Sequence, residues 1–98
     1  MMGFLFRRSS TRQINDLLAL KGPARCQAAV SALLALTSDP LAIPAEWERC
    51  ELPLIHDLPD CPPATKAPLR RALEDCANAC RNREVSRRIM VVRDSLLP

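Results

Sequence analysis

Five cysteines and a single histidine are the only thiol and imidazole groups in the chain, so metal or thiol chemistry must be built from Cys26, Cys50, His56, Cys61, Cys76 and Cys80. A zinc site needs three or four such ligands converging. The spacing Cys-x5-His-x4-Cys-x14-Cys-x3-Cys does not supply the two short cysteine pairs of a zinc knuckle. Cys76 and Cys80 stand at i, i+4 and continue an apolar stripe from Leu69, Ala72 and Leu73, where a free cysteine behaves as a small hydrophobe. The expectation is therefore core thiols, with no metal site and no cofactor. An odd count also argues against a disulfide framework. The apolar Met2-Gly3-Phe4-Leu5-Phe6 is too short for a secretory core, and Arg7 and Arg8 follow it instead of preceding it. Free thiols then point to a reducing cytoplasm.

His56-Asp57 is the one histidine–acid neighbour pair. A catalytic triad would add a nucleophile such as Ser31, Ser95 or a cysteine. Adjacent residues in a proline-rich stretch rarely place such groups correctly, and a small aliphatic domain leaves little room for a substrate pocket. The sequence thus predicts no catalytic residues and no enzyme.

The remaining chemistry is charge. Arg70, Arg71, Arg81, Arg83, Arg87, Arg88 and Arg93 crowd the C-terminal block, the raw material of a nucleic-acid surface. On one continuous helix they scatter around the axis, interleaved with Glu74, Asp75, Glu84 and Asp94. Two Phe, one Trp and no Tyr leave nothing for base stacking. Nucleic-acid binding is the alternative reading, not the first. By region, residues 1–38 balance at +4, residues 39–60 at −5 and residues 61–98 at +4, giving the total of +3.

Ninety-eight residues allow one domain with one modest core, and dimerisation would add burial. The apolar set is aliphatic, 15 Leu and 13 Ala, so the chain reads as mainly α. Twelve Arg against two Lys suggests a GC-rich, bacterial source. No stretch approaches the roughly 20 apolar residues of a membrane span.

The elements follow from these signals. Residues 1–9 read as a flexible N-terminus and 10–98 as a single helical domain. Ser10 with Gln13 matches a capping box, opening a helix over 10–21 that Gly22-Pro23 stops. Pro23 opens the next, over 23–37, whose stripe is Cys26, Ala29, Val30, Leu33, Leu34 and Thr37. A long connector over 40–65 holds six of the nine prolines, with room for a short helix from Pro44 through Cys50 and an edge strand at 52–55. Thr65 is placed to cap a helix over 66–82, and a last helix spans 84–97, with a short strand at 88–92 competing. The expected architecture is a bundle of three to four helices.

Two stripes in the last third point in opposite directions. Leu69, Ala72, Leu73, Cys76 and Cys80 form one, and Val85, Ile89, Val92 and Leu96 form the other, their centres about 170° apart on a continuous helix at 100° per residue. Either the helix breaks near Asn82 or the second stripe serves a partner. The partner reading makes Val85, Ile89, Val92 and Leu96 an interface rimmed by Arg88 and Arg93, covered by a protein partner or by a second copy in a homodimer. On that reading the chain is a small regulatory binder acting sterically, most concretely an anti-activator masking the dimerisation surface of a bacterial transcription regulator. A chaperone-like adaptor is the other form of the same idea.

Overall fold

Gly22 sets the first reversal of the chain. Its φ of +59° lies in the left-handed region that only glycine enters without cost, and Pro23 follows in the first turn of the next helix, where a missing N–H is harmless. The computed structural model describes residues 2–96, and the side chains from Ser10 onward. On either side of Gly22 run α1 (Met2–Ala19) and α2 (Gly22–Thr37). A 3-10 turn (Pro40–Ala42) leads into α3 (Ile43–Asp57), and a second (Leu58–Asp60) leads out of it. The chain ends with α4 (Pro63–Ala79) and α5 (Arg83–Asp94). The chain is mainly helical, and no strand occurs among the described residues.

Several expectations are corrected. The backbone of α1 is helical from Met2, through the stretch assigned to a flexible N-terminus, so Ser10 stands inside the helix and caps nothing. A capping box marks a start only where the preceding residues resist helix, and most of Met2–Ser9 does not. The largest correction concerns residues 40–65. They are not a connector, because 43–57 form α3, and Leu52-Pro53-Leu54-Ile55 is helical, not a strand. Pro44 sits in the first turn of α3 and Pro53 inside it. The interior proline is tolerated because Ile43, Trp47, Cys50 and Leu54, on the face that Pro53 flanks, are completely buried, which outweighs one lost helical hydrogen bond.

The prolines at 62 and 63 open α4 earlier than Thr65 would, and the Thr65 N–H bonds the Pro62 carbonyl at 2.9 Å instead of a cap forming on its side chain. Pro68 consequently falls inside the helix, in its second turn. At the far end the helix stops at Ala79. Asn82 belongs to the next helix: its Oδ1 accepts the Val85 N–H at 3.0 Å and caps α5. The segment 88–92 is helical, and residues 97 and 98 lie outside the described residues.

In the packed structure α2 and α4 form the central pair, α1 lies against α2, and α5 against α4. Helix α3 packs on α2 and reaches α1 on one flank and α5 on the other. The Cα radius of gyration of 12.4 Å matches about 13 Å for a single packed domain of 100 residues. One contiguous core takes in Ile14 and Leu17 from α1, Leu33 and Leu36 from α2, Trp47 and Leu54 from α3, and Leu69 and Leu73 from α4. The three-residue turn Cys80–Asn82 folds α5 back, so both C-terminal stripes face this core. The oppositely directed stripes are resolved by chain reversal, and the outward seam of a continuous helix does not form.

Candidate functional site

The thiols are placed first, because they held the only candidate metal chemistry. Cys26, Cys50, Cys61 and Cys76 are buried and Cys80 is half-buried; all five are free. Burial pushes Cys50 and Cys76 up to about 12, and Cys26 too, where the adjoining Cys61 adds to the effect. Only the thiolate ligates metals or attacks electrophiles, so these groups are inert near neutrality. Their hydrogen bonds are internal, the Cys26 Sγ donating to the Asp57 carbonyl at 3.3 Å. No group of three or more His, Cys, Asp or Glu side chains suited to a metal occurs among the described residues. A thiol titration with a disulfide reagent at pH 8 is expected to find one fast-reacting group, Cys80, in the folded protein and five in guanidinium. Two or more fast thiols would contradict the packing.

His56 and Asp57 are indeed in contact, Nδ1 to Oδ1 at 3.2 Å, but the pair is not a relay. The His56 side chain is 85 % exposed, whereas that of Asp57 is 7 % exposed. The functional partner of Asp57 is a residue the sequence did not single out. Arg25, in the first turns of α2, donates from Nη1 to Asp57 Oδ2 at 2.9 Å and to the Pro53 carbonyl at 3.3 Å. Its Nε and Nη2 each donate at 3.1 Å to the carbonyls of Leu17 and Leu18, the free end of α1. One guanidinium thus closes α1, anchors α2 and grips the end of α3. Burial works against the Asp57 charge, but the His56 hydrogen bond, the Gly22 backbone N–H and the Arg25 charge together hold its carboxyl below the usual range.

That depression fixes the sign of a pH effect. A carboxylate whose native pKa lies below its unfolded value stabilises the fold fully above the unfolded value, near pH 4, and ceases to as the pH falls through the native one. Thermal melts are expected to show the wild type losing stability below about pH 4 more steeply than Asp57→Asn, which has no carboxylate to protonate. Parallel curves for the two proteins would show that Asp57 does not contribute.

The residues expected at a partner interface divide. Val85, Ile89, Val92 and Leu96 are covered by this chain itself, with Ile89 fully buried. They are core, and the apolar surplus that called for a partner on that stripe does not exist. The two arginines expected at its rim are tied down within the chain. Arg88 pairs with Glu51 of α3 through two guanidinium nitrogens. Arg93 bridges Glu74 of α4 at 2.7 Å and Asp94 at 2.6 Å. On the other flank of α3, Glu46 accepts from Thr11 at 2.9 Å and from Arg49 at 2.6 Å, and Arg49 also reaches Asn15.

A different surface remains. On α3, Leu52 is 73 % exposed and Ile55 42 %, and on α5 Val91 is 64 % exposed. Leu52 adjoins Glu51 and Ile55 stands one turn beyond it, while Val91 stands one turn beyond Arg88. Ile55 and Val91 therefore share a helix face with Glu51 and Arg88 respectively, the pair that joins the two helices, while Leu52 projects further outward on α3. Projected on α5 as it is now bounded, Arg83, Arg87 and Val91 share the face opposite Val85, Ile89 and Val92. Glu48, on the outer side of α3, and Arg81, Arg83 and Arg87 are exposed and form no ion pair among the described residues. The sequence signal for this surface was present in the spacing Glu48, Leu52, Ile55, but it is legible only once 43–57 is known to be helix. Among the described residues no single helix is long and apolar enough to cross a membrane. Comparison with protein families, with characterised proteins and with solved structures finds no match to this chain.

Proposed function

We propose that the chain is a small regulatory protein–protein interaction module that acts sterically in a bacterial cytoplasm. Its most concrete form is an anti-activator that masks the dimerisation surface of a transcription regulator, with a chaperone-like adaptor as the other form. The observation that carries the reading is the outer side of α3 and α5, two helices joined by the Glu51–Arg88 pair, where Leu52, Ile55 and Val91 stand in solvent. Exposed aliphatic side chains scattered singly are ordinary, but a cluster with a polar, charged surround is the composition of a docking surface. Affinity capture with wild-type protein and with Leu52→Asp/Val91→Asp tests it. A defined partner is expected to be retained by the first and lost by the second, with both proteins equally helical. Equal retention by both would move the interface elsewhere, and no protein partner would end the reading.

A second reading has its own observation. Helices α4 and α5 are joined by only Cys80–Asn82, and Arg81, Arg83 and Arg87, in the turn and on the outer face of α5, are exposed and form no ion pair among the described residues. Two helices so joined, the second one basic, resemble in outline the helix pairs that enter a DNA groove. A mobility shift with random-sequence duplex, lost in Arg83→Glu/Arg87→Glu and steeply weakened by salt, would favour it.

A further inference from the structure

We propose that one end of the molecule, away from the flank of α3 and α5, docks on an anionic lipid surface. Side-chain contacts fix which helix ends gather there. Arg25 and Cys26 at the start of α2 meet Asp57 at the close of α3, so these two helices run in opposite directions. Helix α4 begins beside that junction, after the Leu58–Asp60 turn, and packs along α2 until Cys76 lies beside Thr37. The close of α2, the Pro40–Ala42 turn, the start of α3 and the turn between α4 and α5 therefore share one end. Helix α1 joins them. Thr11 bonds Glu46 and Asn15 meets Arg49, so α1 runs parallel to α3 with Thr11 level with its first turn. At 1.5 Å per residue, about 9 Å of α1, residues 2–7, lies beyond the start of α3.

This end is apolar and basic together. Between Arg25 and Glu46 the chain has one charged residue, Asp39. Leu41 is 82 % exposed, more than any other large apolar side chain among the described residues, and Leu34, one turn before the close of α2, is 49 % exposed. Arg81 and Arg83 in the α4–α5 turn are exposed and form no ion pair among the described residues. Of the acids in these terminal turns, Glu46 is buried and held by Thr11 and Arg49. That leaves Asp39 and Glu84 against Arg81 and Arg83, with Phe4-Leu5-Phe6-Arg7-Arg8 in the sequence of the first half of α1.

The headgroup layer of a bilayer takes both kinds of side chain at one depth, guanidinium on phosphate and leucine on the acyl boundary. A nucleic-acid backbone answers the arginines alone and leaves Leu34 and Leu41 in water.

Flotation of the full chain with vesicles tests the proposal. Vesicles of phosphatidylglycerol and phosphatidylcholine in equal parts are expected to carry the wild type, and high salt to release it. Phosphatidylcholine alone is expected to leave it behind. Arg81→Glu/Arg83→Glu and Leu34→Asp/Leu41→Asp, all at exposed positions, are each expected to weaken partitioning at least about tenfold. Leu52→Asp/Val91→Asp is expected to float as the wild type does. Circular dichroism on each variant separates lost binding from lost fold, and Leu41→Asp alone serves if the double change disturbs α2. Failure to float with either vesicle overturns the proposal, as does flotation that both end variants retain or that neutral vesicles match. A duplex shift lost in Arg83→Glu/Arg87→Glu, without flotation, gives the arginines to nucleic acid and overturns it too. If the chain floats and no protein is captured through Leu52 and Val91, the lipid contact stands and the masking role falls. Capture without flotation reverses that outcome.

Discussion

Replacing Arg25 by alanine is expected to be the most damaging change of a charged residue in this protein, lowering Tm by about 10 °C or more. The side chain is only 12 % exposed and satisfies four acceptors: the Leu17, Leu18 and Pro53 carbonyls and the Asp57 carboxylate. Truncation strands Asp57, at 7 % side-chain exposure, next to three carbonyls that it cannot bond. Leaving one partner of a buried pair unanswered costs far more than the pair itself is worth. Lysine is a poor substitute, because a point charge cannot reproduce the planar fork that reaches from α2 to both α1 and α3. Arg25→Met/Asp57→Leu is expected to melt higher than Arg25→Ala, since it removes both charges. Melts followed by far-UV circular dichroism decide the matter. A loss of under 3 °C for Arg25→Ala would show that the network is decorative.

The second large effect concerns the stripe once read as an interface. Ile89→Asp/Val92→Asp is expected to abolish the fold, because the two positions are 0 % and 3 % exposed within a single chain. Each buried carboxylate costs several kcal/mol, against a total stability of about 5–15 kcal/mol for a domain of this length. The spectrum at 25 °C should show the helix signal largely lost. The single change Ile89→Ala is expected to cost about 2–5 kcal/mol with the fold retained. A folded, soluble double variant would reinstate the outward-facing seam and overturn the reversal at Asn82.

Much of the helical content was legible in the sequence. Gly22-Pro23 marked the first turn, and the stripe from Cys26 onward marked α2, because both signals are local and nothing competes with them. Helix α3 was read only as a short helix from Pro44 through Cys50, and its continuation to Asp57 was missed for a physical reason. Ile43, Trp47, Cys50 and Leu54 repeat at i, i+4, i+7 and i+11, as clear a stripe as any in the chain, but Pro53 interrupts it. Proline is a strong breaker in isolation, and its local penalty was overridden by burial of the adjoining face. The Ser10 and Gln13 capping box misled in the other direction, since a start signal does not act inside a segment that is already helical. Arg25 was invisible because its role is set by groups distant in the chain, at Leu17, Pro53 and Asp57. The interface residues failed together: the spacing of Val85, Ile89, Val92 and Leu96 correctly identified a buried face, but spacing says nothing about which chain does the burying.

The three buried acidic side chains among the described residues, Glu46, Glu51 and Asp57, all belong to α3. Each is directed at a different helix: Glu46 toward Thr11 of α1, Glu51 toward Arg88 of α5 and Asp57 toward Arg25 of α2. A core of Leu and Ala has smooth, repetitive surfaces, on which one helix can slide a turn along its neighbour, about 5.4 Å, and find similar contacts again. Helix α3 cannot slide in that way. A shift by one turn would strand three charges at once against three separate partners, so its registry is fixed by electrostatics where shape alone leaves it loose. The acidic middle of a basic chain is thereby a key, cut to a single depth.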